Sequence, residues 1–161
     1  MVGKSQRRGR LLAEVESLYA WIDEQLVQQP AAAGQCQTCG DCCDFVGYDH
    51  LLFVTPPELI YLAEKLDVDH LEPMTSGRCP YQHASKCTVH AYRFSGCRIF
   101  GCRGNAECQS ELTERTLRRL KVMCDQFDVP YRYADLATAL ANFTTDSDRS
   151  AAGPCPGDRA G

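Results

Sequence analysis

A small single domain, mainly α-helical and built on an irregular, cysteine-rich, metal-centred core, is the fold class this sequence predicts, and three observations carry it. Cys36, Cys39, Cys42 and Cys43 crowd into one short stretch, CQTCGDCC. A second set, Cys79, Cys87, Cys97 and Cys102, follows after a stretch of helical character. On either side of the cysteines, apolar residues recur at the three- and four-residue intervals of amphipathic helices.

A chain of 161 residues suffices for one domain with a modest core. It divides into an N-terminal helix and linker over 1–35, a cysteine-cluster domain with helical cover over 36–143, and a disordered tail over 144–161. The 17 basic and 21 acidic residues leave a formal charge of -4, so no general attraction to nucleic acid or to an anionic membrane is expected. Glu14 and Glu16 interrupt what would be the apolar region of a signal peptide, and no apolar run reaches membrane-spanning length. A reducing cytoplasm is therefore expected, where clustered thiols bind metals or do catalysis and seldom form stable disulfides. The odd total of 11 cysteines also fits poorly with complete pairing.

From about Arg10 to Gln29, Leu11, Val15, Leu18, Ile22 and Leu26 share a face while Glu14, Glu16, Asp23 and Glu24 take others, which predicts a helix. Packing on its own domain is the simplest use of that stripe, and a protein partner is the alternative. Pro30 closes the helix. After Cys43, DFVGYDHLLFV lacks clean alternation and reads as extended chain. Thr55, Pro56, Pro57 and Glu58 then combine a capping hydroxyl, a proline at the first helical position and a carboxylate three residues past the cap. Helix is expected from there to about Leu66, burying Leu59, Ala63 and Leu66 and roofing the cysteine loop.

The stretch Cys79 to Cys102 reads as turns, with at most a short strand or helical turn. Ser110 to Phe127 is helical, with Leu117, Leu120, Cys124 and Phe127 on one face, so that Cys124 is a core residue. Asp128, Val129 and Pro130 break it, and a last helix is expected from Tyr133 to Phe143. Cys155, between two prolines in the tail, is expected to be a free thiol, and Cys108 to be structural.

A Cys-x-x-Cys spacing lets two sulfurs converge on one ion while the loop amides stabilise their thiolates. Cys36 with Cys39, and Cys39 with Cys42, have that spacing. Adjacent side chains diverge, so Cys42 and Cys43 do not easily share one tetrahedral ion. Either Cys42 and Cys43 serve two metals, or one packs as a small hydrophobe, or both reach a cluster wider than one ion. The gaps of the second set match neither zinc-finger nor ferredoxin spacings. Two zinc sites, two iron–sulfur clusters, or one cluster with a protecting shell all remain open. His90 is a candidate for a mixed sulfur–nitrogen site. His50, His70 and His83 read as solvated. Arg93 and Arg98 are candidates for holding an anionic cofactor or for neutralising thiolate charge. Arg115, Arg118, Arg119 and Lys121 read as a solvated basic face.

The run CQTCGDCC, then TPPE, then Cys79, Cys87 and CRIFGC resembles the CxxCxxCC family of zinc- or iron-chelating proteins, the YkgJ-type cysteine cluster proteins, over about Cys36 to Cys102. Arg93, Cys97 and Arg98 stand where that family has them, whereas His90 replaces a usual tyrosine and Phe94 a usual proline. The resemblance implies a cofactor that is an iron–sulfur cluster, most simply 4Fe–4S, or zinc. It also implies kinship with the longer flagellin lysine N-methylases, although no glycine-rich loop that would cradle S-adenosylmethionine is present. The functions expected are metal binding with electron transfer or an accessory role in protein modification, a zinc-stabilised interaction module, or a methylase-like enzyme. A structural zinc contributes on the order of 10–16 kcal/mol, whereas each ordered residue costs about 1–2 kcal/mol of backbone entropy. Metal alone therefore cannot hold such a fold, and apolar helices must cover it.

Overall fold

The computed structural model describes residues 3–30, 40–100 and 104–144. The expected linker, Cys36, Cys39, Cys102, Cys155 and nearly all of the expected tail lie outside them. Helix α1 (Lys4–Gln28) buries Leu11, Val15, Leu18, Tyr19 and Ile22. It begins six residues before the apolar stripe requires. Most of Lys4–Arg10 consists of unbranched side chains that cost little in a helix, and Arg8 pairs with Glu64 at 2.9 Å.

Chain 45–49 is turn, not the extended stretch expected. Asp44 accepts from the Gly47 amide at 2.8 Å, and Asp49 takes a left-handed φ of 47°. Only β1 (Phe53–Val54) is a strand there. Helix α2 (Pro56–Leu66) begins with the expected capping box and proline. Leu59 and Ala63 are buried as expected, and so are Ile60, Tyr61 and Leu62, whereas Leu66 is only partly covered. A two-residue hairpin, β2 (Gln82–His83) with β3 (Lys86–Cys87), and a 3-10 turn (His90–Tyr92) lead to the short helix α3 (Ser95–Ile99).

Helix α4 (Ala106–Phe127) starts earlier than expected because Asn105 caps it, its side chain accepting from the Glu107 and Cys108 amides. Asp128 ends it in the left-handed region, and Cys124 is fully buried, as the pattern requires. The last helix is shorter than expected. Ala134–Asp135 forms β4, antiparallel to β1 with Phe53 opposite Asp135, and Asp135 then caps α5 (Leu136–Asn142).

The molecule is thus mainly helical, with α1 packed on α2, α3 and α4 around one apolar core. Its strands are two residues long. Among the described residues, no helix is long and apolar enough to cross a membrane.

Glu58 joins these helices. It is 1% exposed, and its Oε2 accepts from the Thr55 amide at 3.0 Å and the Thr55 hydroxyl at 2.9 Å. Its Oε1 accepts from the Ser95 amide at 2.7 Å and from the Tyr19 hydroxyl at 3.5 Å. One carboxylate therefore ties α1, the start of α2 and the start of α3. Burial, and then the neighbouring Glu58 charge, hold the Tyr19 phenol well above its usual range. Replacing Glu58 by Ala strands buried donors on three elements, and a loss of about 3 kcal/mol or more is expected in urea denaturation.

Candidate metal centre

Cys42 and Cys43 stand on a 3-10 turn, Asp41–Cys43, entered through Gly40 at φ 78°. A Cβ at Gly40 would meet the Gln82 side chain and lie 2.8 Å from the Ser85 carbonyl oxygen, so both the conformation and the space require glycine. Gln82 Nε2 donates to the Gly40 carbonyl at 2.8 Å and joins the β2–β3 hairpin to this turn.

The turn runs directly into an antiparallel pairing with the second cysteine segment. Cys79 N donates to Cys43 O at 2.9 Å and Phe45 N to Gly77 O at 2.8 Å, on either side of a bridge between Asp44 and Arg78. An Asp44–Arg78 ion pair of 2.8 Å reinforces it. Cys43 consequently faces Cys79 across two segments far apart in the chain. The hairpin turns through Ala84 and Ser85 at φ 49° and 61° and sets Cys87 opposite Gln82. Left-handed geometry costs such residues about 1–2 kcal/mol each, so the turn depends on tertiary ties such as the one from Gln82 to Gly40. Cys97 is delivered by α3, whose first amide is held by Glu58.

These placements bring five thiols into one neighbourhood. Cys43 hydrogen-bonds both Cys42 and Cys79 and feels the charge of Cys87. Cys97 feels Cys43, Cys42 and Cys87. The bond from Cys42 favours the Cys43 thiolate, but the bond to Cys79, burial and the Cys79 and Cys87 charges outweigh it and push the Cys43 thiol up to about 12. Its bond to Cys43, then burial, raises Cys42 well above the ordinary thiol value. Burial first, then the other sulfurs, raises Cys97 likewise. Without a cation these sulfurs hold their protons, and a bound metal ion would supply the charge that releases them.

The donors are of the kind that a thiophilic metal takes. The described set is not closed by itself: among the described residues, no three His, Cys, Asp or Glu side chains are arranged to hold an ion. No disulfide joins any two of the described cysteines. The predicted ligands Cys36, Cys39 and Cys102 lie outside the described residues, so their placement relative to the five thiols is not described.

The other candidates take different places. Arg98 stacks over the Tyr19 ring at 4.3 Å, pairs with Asp23 at 2.8 Å and donates to the Arg93 and Ala91 carbonyls. Its guanidinium thus clamps the segment before α3 onto α1. Arg93 donates to the His90 carbonyl at 2.8 Å and lies 3.3 Å from its Nδ1. His90 Nε2 is buried without a partner among the described residues, and burial, then Arg93 and Arg98, lower its pKa. His50, expected to be solvated, instead donates from Nε2 to the Cys42 carbonyl at 3.0 Å and packs edge-on against Phe45. His83 and His70 are exposed.

The basic stretch of α4 is a largely solvated face, as expected, with Arg118, Arg119 and Lys121 exposed. Arg119 and Arg115 stack on Trp21 at 3.9 and 5.0 Å, and Arg118 pairs with Glu114. Sequence reasoning missed the ties through Gln82, His50 and the Asp44–Arg78 pair, which link positions too far apart for any local pattern. For Glu58 the capping signal was visible, but its bonds to Ser95 and Tyr19 were not.

Comparison with protein-family models returned no match, and neither did comparison with curated proteins or with solved structures.

Because Cys43 is raised from 9.0 to about 12, the folded chain disfavours its thiolate. The stability this confers is fully present below pH 9 and is lost as pH rises toward about 12. Metal-free, reduced protein is expected to lose denaturant resistance through that window. A midpoint unchanged between pH 8 and pH 11 would show that the thiols are not held as described.

Proposed function

We propose that this protein binds a thiophilic metal centre through its cysteines, an iron–sulfur cluster in preference to zinc. The observation that carries the reading is the pairing that sets Cys43 across from Cys79, with Cys42, Cys87 and Cys97 within electrostatic reach. Five thiols exceed the four that one zinc ion takes, and the adjacent Cys42 and Cys43 suit a centre wider than a single ion. Cys36, Cys39 and Cys102 would complete the set. Membership of the CxxCxxCC family is part of this proposal and rests on the motif residues alone. A reducing, cytoplasmic setting belongs to it too, because thiolate centres need reduced cysteine. Electron transfer or an accessory role in protein modification is the function class.

The competing readings find less support. The apolar stripe of α1 is buried in its own core, so the first of the surfaces expected of a zinc-stabilised interaction module has another use, and on the basic face of α4 Arg115 and Arg119 stack on Trp21. For a methylase-like enzyme, the described strands are two residues long, and none leads into a glycine-rich loop.

Anaerobic isolation is expected to give brown protein containing iron and acid-labile sulfide. Colourless protein with stoichiometric zinc would replace the cluster by zinc, and protein with neither would overturn the metal reading. Cys43→Ser is expected to lose most of the bound metal. Cys124→Ala, altering a fully buried thiol of α4, is expected to keep the metal and lower stability by about 1 kcal/mol.

A further inference from the structure

The imidazole of His90, at the start of the 3-10 turn before α3, is held in one protonation state. A guanidinium carries donors only, so Arg93 Nη1, 3.3 Å from Nδ1, meets that nitrogen as a lone pair. The hydrogen of the neutral ring therefore sits on Nε2. That atom is buried and has no partner among the described residues. While Arg93 keeps its place, neither ring nitrogen offers a lone pair to a metal ion.

The turn around this ring already carries positive charge. Arg93 donates to the His90 carbonyl at 2.8 Å, and Arg98 of α3 donates to the Arg93 and Ala91 carbonyls at 3.1 and 3.0 Å. Against these two guanidiniums α1 supplies Asp23, paired with Arg98 at 2.8 Å, while from α2 Tyr61 and Lys65 meet Tyr92 of the same turn. A proton on Nδ1 would set one N–H against another and add a third cation beside a single carboxylate. The charged ring is better placed in water, where both of its nitrogens find acceptors.

We propose that His90 is an acid-sensitive latch: when Nδ1 takes a proton from solution, the ring leaves Arg93, and the turn and the start of α3 loosen from α1. No covalent bond other than the new N–H is made or broken. Burial, then Arg93 and Arg98, hold the His90 pKa below the ordinary 6.5, against an opposing pull from Asp23. The fold therefore favours the neutral ring. That stabilisation is fully present above 6.5 and is lost as pH falls from there through the lower folded value.

Reduced, chelator-treated protein followed by NMR between pH 8 and pH 5 tests the latch. The His90 Cε1–H resonance is expected to titrate below 6.5, and at higher pH in Arg93→Gln than in the wild type, because the facing guanidinium is gone. Amide hydrogen exchange, corrected for its intrinsic pH dependence, reads the loosening itself. The Tyr92 and Arg98 amides, bonded to the Val89 and Phe94 carbonyls, are expected to open more often in acid, by up to about tenfold per pH unit, the limit for one proton. The Val129 amide, bonded to the Cys124 carbonyl at the end of α4, is the reference and is expected to hold. In His90→Gln, which does not titrate in this range, the acid response of Tyr92 and Arg98 is expected to vanish. Should that variant not fold, the wild-type titration and Arg93→Gln decide. A His90 that titrates at or above 6.5, or Tyr92 and Arg98 amides that ignore acid or open only in step with Val129, would overturn the proposal.

Discussion

The carboxylate of Glu58 is the point on which this structure depends. A buried acidic side chain is tolerated only where its lone pairs are met, and here the Thr55 amide and hydroxyl, the Ser95 amide and the Tyr19 hydroxyl meet them. These donors come from α1, from the cap of α2 and from the first residue of α3. Because α3 has five residues, far fewer than an independent helix needs, its placement is decided by that contact and by Arg98, which clamps the preceding segment to Asp23 and Tyr19. Cys97 rides on this element. The same polar network that orders the helical core therefore delivers one of the thiols.

Around the thiols, stabilisation is of a different kind. The turn at Gly40, the bridge between Asp44 and Arg78 and the strained hairpin at Ala84 and Ser85 rely on hydrogen bonds between segments, with Phe45 and Tyr81 beside them anchored in the apolar core. Such a region would gain cohesion from a metal of the kind proposed, because ligation adds ties between the segments that it joins. The raised Cys42, Cys43 and Cys97 thiols are the electrostatic expression of the same arrangement, sulfurs held close together.

Of the expected elements, those carried by local signals agree best with the structure. The Thr55–Glu58 cap starts α2 where it is drawn, Cys124 lies in the core, and Asp128 ends α4. The differences arise where a distant partner intervened. Ala134 and Asp135 pair with β1 instead of joining the last helix, and His50 turns back to the Cys42 carbonyl. A repeat of three or four residues cannot reveal a bond between residues eight or more apart.

By itself the sequence determined that the chain is mainly helical and that its cysteines are clustered, because both follow from residue type at short spacing. Which thiols meet was decided only in three dimensions. Cys43 and Cys79 are neighbours through backbone pairing across a long stretch of intervening chain, and Cys97 joins them through a helix positioned by a carboxylate from another. The physical reason is that hydrogen bonding between segments depends on where the folded core puts their backbones, and the linear order of residues does not contain that information in any local form.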